Sequence, residues 1–246
     1  MESVAVIILS KNNSKILKEC LNSFTEKNTY NNIKFYIGDT GSEESVIQEI
    51  TDYLKSFKYK KELLKFKYYN FSKNHNWIIT NRVKEDYILF CNDDITLIND
   101  ALSILMDNTE KNIGTIGCKL LYPNNNIQHG GHIHLHMEHS IEVTHKHLNQ
   151  QNKILPTEYN VGNTFAFALV KTSIYKNVNG LDEEYFKCFE DVDFCLKCSK
   201  KDYKHKFVGS AECYHHESVS RKKTGSTFDL RDCDKIRNKL KNFYNN

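Results

Sequence analysis

The chain opens on an unbroken apolar run, Val4 to Leu9, closed by Ser10. A short run of this kind, rich in β-branched residues, predicts a strand covered on both faces. SKILKECLNSF follows with apolar residues at 16, 17, 20, 21 and 24, the spacing of one helix face, and Ser14 is placed to cap it. The pattern then repeats. IKFYIGDTGS is a strand ending in polar and glycine residues, and Ser42 opens a helix with apolar positions 46, 47, 50, 53, 54 and 57. LKFKYYN (64–70) reads as a third strand, a short helical piece follows around Trp77 to Asn81, and Tyr87 to Cys91 is a fourth strand. Alternation of this kind specifies an α/β fold with a mainly parallel central sheet and helices on both faces.

After residue 113 the alternation loosens. IGTIGCKLLY, IQHGGHIHLH and VGNTFAFALV read as strands, a helix spans about Glu190 to Lys201, and short strands lie at His205 to Val208 and Glu212 to Tyr214. Neither an internal repeat nor a Pro/Gly/Ser-rich linker divides the chain, so a single domain with two functional halves is expected, about 1–112 and about 113–246.

Ligands of open parallel sheets bind at the carboxyl ends of the strands. Ser10, Asp39, Asn70 and the run Asn92-Asp93-Asp94 all fall at such ends. Two adjacent carboxylates after the buried strand YILFC must reach water, a cation or hydrogen-bond donors, because an unpaired buried charge costs several kcal/mol. Asp191 in CFEDVDFCLK and His215-His216 in ECYHHES supply further chemistry. A magnesium or manganese ion on a diphosphate needs few protein ligands, since phosphate oxygens and water fill its octahedron. Each group also has a plainer reading: Asn-x-Asp as a polar turn, and Glu190-Asp191 as acids favoured in a helix's first turn by about 0.3–1 kcal/mol.

Taken in order, IGDTGS, FCNDDIT, IGTIGCKLLYPNNNIQHGG, NGLDEEYFKCFEDVDFCLKCSKKDYK and HHESVSR resemble the family 2 glycosyltransferases of GT-A fold, particularly the rhamnosyltransferase-like branch. The resemblance implies a single GT-A domain, with a nucleotide-sugar-binding first half and an acceptor and catalytic second half. It implies an inverting transfer of a hexosyl-type sugar from a nucleotide-diphosphate donor, UDP- or dTDP-linked, to a hydroxyl of a glycan or other acceptor, with Mn2+ or Mg2+ as cofactor. Asp39 matches the base-contacting aspartate, with Ser10 beside it. Asn92 and Asp94 match D-x-D, with Asp94 the metal ligand, and Asp93 lies between them on the donor side. Asp191 matches the E-D base, and His215, with His216 as second choice, the histidine of the metal or diphosphate site. Asn70 and Lys73 fall on the donor side, and Arg221, within the segment Glu217 to Thr227, is the expected diphosphate contact of a lid. Asn92 departs from the acidic first position of D-x-D, and YNFSKNHNWI lacks the glycine common after its asparagine.

Composition limits the alternatives. A net charge of +3 is too mild for a nucleic-acid binder, and the basic run at 58–67 allows only weak contact with a membrane surface. Six consecutive apolar residues without a basic leader form neither a signal peptide nor a membrane span, so a cytoplasmic protein with reduced cysteines is expected. Cys195-x-x-Cys198 offers a structural zinc reading, but both fall inside a predicted helix. In the histidine-rich segment 129–147, His132, His134 and His136 alternate on one strand face, read as acceptor-groove lining or a solvated surface rather than a catalytic metal site. A non-catalytic nucleotide-sugar or glycan-binding module of the same fold is the remaining alternative.

Overall fold

In the computed structural model, which describes residues 1–217 and 229–245, the first half is a regular alternation: β1 Val4–Ser10, α1 Ser14–Lys27, β2 Ile33–Asp39, α2 Glu44–Ser56, β3 Lys60–Lys65, α3 Phe71–Asn81 and β4 Tyr87–Cys91. The second half adds β5 Ile95–Leu97, α4 Ala101–Asp107, β6 Ile113–Leu121, β7 Ile127–His129, β8 His132–His136, β9 Ile141–His145, β10 Glu158–Asn160, β11 Phe167–Lys171, α5 Thr172–Asn177, α6 Glu190–Ser199, β12 Lys204–His215 and α7 Leu230–Asn245. The central sheet runs β10-β12-β6-β11-β4-β1-β2-β3, with β5 on β12 and β7 on β6, while β8 and β9 form a separate hairpin. The pairs β3-β2, β2-β1 and β1-β4 are parallel; β11 runs antiparallel to both β4 and β6, and β12 is parallel to β6.

The opening apolar run behaves as its composition requires. Every residue of β1 is buried: Val4, Val6 and Ile8 pack in one core with Leu17, Phe24 and Ile50 from α1 and α2. Ala5, Ile7 and Leu9 enter the opposite core with Ile78 of α3, Ile174 of α5 and Phe194 of α6. Alternation of side chains across the strand thus feeds two helical layers, each buried aliphatic contributing about 1.5–3 kcal/mol. The basic run at 58–67 surrounds β3, an edge strand with exposed Lys60, Lys61 and Lys65, charges that discourage pairing with another chain.

Several boundaries differ from the sequence reading. Ser14 is the first helical residue and its hydroxyl donates to Glu49 at 2.6 Å, while Asn13 occupies the cap position. β3 begins at 60 rather than 64, and α3 begins at Phe71 because Asn70 caps it: the Asn70 side chain accepts from Lys73 N at 2.8 Å, and Asn74 Oδ1 accepts from Asn70 N at 2.8 Å. The strands expected at 205–208 and 212–214 are one strand, β12, whose pairing with β6 shifts register between Lys204 and His205 and again between Val208 and Glu212. No helix of the described residues is long and apolar enough to cross a membrane.

Candidate functional site

Parallel register sets strand tips side by side, Ser10 opposite Asp39 and Asp39 opposite Lys65. Asp39 is buried, and its Oδ2 accepts the backbone N–H groups of Gly41 and Ser42, each at 3.2 Å. Gly41 holds φ +97°, and a Cβ there would lie 2.8 Å from Lys67 O, so the turn that wraps this carboxylate needs glycine. Asp39 Oδ1 is buried without a hydrogen-bond partner among the described residues, an acceptor left over for a ligand donor. Beside it, where β3 ends and α3 begins, lies a cleft of about 420 Å³ lined by Phe66, Lys67, Lys73 and Trp77 among others.

The two carboxylates that end β4 face different ways. Asp93 turns back to β1, where Oδ2 accepts from Ser10 Oγ at 2.7 Å and from Asn13 Nδ2 at 3.4 Å. Burial, reinforced by the neighbouring Asp94 charge, pushes its carboxyl up to about 6. Asp94 turns toward β12, its Oδ1 3.2 Å from His215 Nε2. Burial alone would raise the Asp94 carboxyl, but the hydrogen bond and charge of His215 outweigh it and hold it below the usual carboxylate range.

His215 arrives because β5 pairs antiparallel with β12, setting His215 opposite Ile95, the residue after Asp94. Its Nδ1 meets Gln128 Oε1 at 2.6 Å, and Gln128 in turn donates to Glu217 at 2.9 Å. With Nδ1–H given to Gln128, Nε2 faces the Asp94 carboxylate and the Asn92 amide, the latter at 3.2 Å. His216 is exposed, and its ring bonds Thr96 Oγ1 at 3.1 Å instead. Of the two histidines, His215 is therefore the one whose ring meets Asp94. Gln128 was not singled out by sequence; its only signal was membership of the NIQHGG block.

Asp191 sits in the first turn of α6, entered through Phe189 in the left-handed region at φ 71°. A non-glycine residue held there costs about 1–3 kcal/mol, and such strain gathers at functional sites. The Asp191 carboxylate accepts Phe165 N at 3.2 Å and Val192 N at 2.8 Å. The next residue along, Ala166, accepts Asn92 N at 2.9 Å, so the 165–166 backbone links Asp191 directly to the tip of β4. The loop before α6 is held by Asp232 of α7, a buried carboxylate receiving the backbone N–H groups of Phe186, Lys187 and Cys188 at 2.7–3.2 Å. Asn70 spends its side chain on the α3 cap and Lys73 lines the adjacent cleft, while Arg221 and most of the expected lid lie outside the described residues.

The family model of glycosyl transferase family 2 matches residues 5–178, from β1 into α5. The chain belongs to this family. A relative described as the uncharacterized protein y4gI of Sinorhizobium fredii is 27% identical over 89% of this chain and 25% of its own length. The O-antigen biosynthesis protein RfbC of Myxococcus xanthus is 23% identical over 63% of this chain and 12% of its own. The chain thus spans a quarter or less of these relatives. Among solved structures, GalNAc-T7 with UDP, GalNAc and Mn2+ superposes with a TM-score of 0.72 at 10% identity, covering 87% of this family 2 chain and 44% of that one, a likeness of fold.

Two other groups of this glycosyltransferase-family chain carry metal-ligating residue types, the Cys195/Cys198 pair and the histidines of β8. Cys195 and Cys198 are buried along α6, with Cys195 Sγ 4.0 Å from Asn163 O, and all eight cysteines are free thiols. His134 and His136 both meet α7, with His134 Nδ1 2.5 Å from Tyr244 Oη and the His136 ring 4.8 Å from that of Tyr244, while His136 stays exposed to solvent.

Proposed function

We propose that this chain is an inverting glycosyltransferase that moves a sugar from a nucleoside-diphosphate donor to an acceptor hydroxyl, with donor contacts in the 1–112 half and the base in the 113–246 half. The observation that carries the reading is the Asp94–His215 pair. Two ligands at right angles on one ion, each about 2.1 Å away, stand about 3 Å apart, and the 3.2 Å between Asp94 Oδ1 and His215 Nε2 fits that spacing. A divalent cation bound there, Mn2+ or Mg2+, supplies charge neutralisation for the leaving diphosphate. UDP and Mn2+ accompany the superposable GalNAc-T7, which supports the same ligand class here.

The chain's own groups divide the remaining work. Asp39 offers its unpaired Oδ1 to a base N–H or ribose hydroxyl, and the Lys67–Lys73–Trp77 cleft extends that donor surface. Asn92 and Ser10 fix the orientation of His215 and Asp93. An ionised carboxylate has about four lone-pair sites. Asp191 commits two to backbone donors, leaving acceptor capacity to take the proton of the attacking hydroxyl.

A panel of nucleotide sugars with Mn2+ tests the assignment: one donor should raise the melting temperature and release nucleotide slowly, and release should accelerate with a suitable glycan acceptor. Donor stabilisation without turnover under any acceptor would favour the non-catalytic binding module. Gln128→Ala should weaken Mn2+-dependent nucleotide affinity about 10–100-fold, as expected when the partner orienting a ligating imidazole is removed. Unchanged affinity in that variant would detach Gln128, and with it this orientation of His215, from the cation.

A further inference from the structure

Three histidines outside the Asp94–His215 pair meet at one point. His129 ends β7, His132 opens β8, and His145 ends β9 directly opposite His132 in the hairpin. Gly131, at φ +95°, makes the tight turn between the first two, which puts His129 back over the hairpin. A ring nitrogen from each lies within 4.8 Å of the others, the nearest pair being His129 Nδ1 and His145 Nδ1 at 2.6 Å. The three rings stand edge-to-face, with centroids 4.8–5.1 Å apart.

Burial makes this grouping unlike packed core histidine. His205 in the same molecule shows what a satisfied buried imidazole looks like: Nδ1 meets Thr115 Oγ1 at 2.8 Å, and Nε2 meets Cys195 O at 3.1 Å and Ser199 Oγ at 3.2 Å. His132 is equally buried, yet its Nδ1 has no hydrogen-bond partner among the described residues. Leaving such a group unmet costs about 1–3 kcal/mol, and two further imidazoles crowd the same spot.

We propose that His129, His132 and His145 form a second metal centre, separate from the Asp94–His215 pair, which takes a divalent transition-metal ion of the zinc class and staples the β8–β9 hairpin to the central sheet. An all-imidazole donor set suits zinc, copper or nickel and not the oxygen-seeking Mg2+ or Mn2+ of a diphosphate site. Zinc bound by nitrogens at about 2.0–2.1 Å sets its ligands roughly 3.4 Å apart, between the nearest and farthest nitrogen spacings seen here. Loading His129 through Nδ1 leaves the ring proton on Nε2, so the long 3.4 Å approach of Thr164 N–H to that atom gives way. The residue before His129 is Gln128, which orients His215, so the staple also fixes the backbone behind that contact. The centre stands on its own geometry and does not depend on the transferase reading.

The test uses the full chain carrying no histidine tag, stripped with chelator, reloaded with Zn2+ or Co2+ and dialysed before metal counting. One ion per chain should remain in the Asp94→Ala/His215→Ala double variant and be lost when His132→Gln or His145→Gln is added to that background. The cobalt form should show the intense visible absorption of a four-coordinate site, and Zn2+ should raise the melting temperature of the Asp94→Ala/His215→Ala variant but not once His145→Gln is added. Wild-type protein that retains no ion and develops no cobalt spectrum overturns the proposal even if the histidine variants do not fold. Retention of a full equivalent by a folded Asp94→Ala/His215→Ala variant that also carries His132→Gln or His145→Gln overturns it as well.

Discussion

Asp191→Asn should fold, bind nucleoside diphosphate with Mn2+ as the wild type does, and transfer sugar about 10²–10⁴-fold more slowly, the usual contribution of a positioned acid–base group. The fold survives because the amide oxygen can still accept from Phe165 N, the longer-range of the two bonds Asp191 makes. What is given up is the second acceptor, the one facing Val192 N in the helix's first turn, at a cost of about 0.5–1.5 kcal/mol. Donor affinity should hold because Asp191 reaches the donor rim only through the 165–166 backbone, which the amide leaves in place. The measurements are nucleotide release with and without acceptor, melting temperature, and nucleotide affinity. A variant that melts many degrees lower would make Asp191 a helix-start residue, and one that transfers at the wild-type rate would put the base elsewhere.

The strands that position this site were legible where both faces of the sheet are covered. β1, β2 and β4 are short apolar runs because helices bury each side, and their tips are found by following the run to its first polar residue. β3 was placed four residues late because an edge strand with exposed lysines carries little apolar pattern. α7 was missed for a different reason. Its apolar contact is narrow, Ile236, Leu240 and Phe243 against Tyr185, Val192 and Leu196, and charge adds to it: Asp232 on the 186–188 amides, and Lys239 on Asp193 at 2.6 Å and Asp182 at 2.8 Å. The spacing 236, 240, 243 is helical, but so short an apolar stripe among charged residues is easily passed over in one sequence.

The same limit applies within the site. Asp39, Asp93 and Asp94 follow from strand ends, but the direction each carboxylate faces does not; it is decided by Ser10 on one side and His215 on the other. In the histidine-rich segment the visible pattern was linear, 132-134-136. The structure instead groups residues by cross-strand register and a glycine turn, joining 132 with 145 and 129 and sending 134 and 136 to Tyr244. Register between β8 and β9 is a tertiary property that alternation alone does not encode.

Asp94→Ala should abolish the part of nucleotide affinity that depends on a divalent cation, exceeding the 10–100-fold expected for loss of an outer contact such as Gln128. The argument starts from charge. A nucleoside diphosphate brings two or more negative charges to a rim where Asp93 and Asp94 already stand, so without a cation these carboxylates repel it. Removing Asp94 takes away both a ligand and a repulsive charge, and the two effects part company with conditions. In Mn2+ the variant should bind far more weakly than wild type; in EDTA it should bind as well as wild type or slightly better. His215→Ala should weaken binding in Mn2+ in the same direction while keeping the repulsion, so its affinity in EDTA should not improve. Titration calorimetry of nucleoside diphosphate on the three proteins under both conditions reads all six values. Wild-type affinity that is equal in Mn2+ and EDTA would remove the cation from donor binding, and the 3.2 Å contact between Asp94 and His215 would then be an ordinary ion pair closing β12 onto β4.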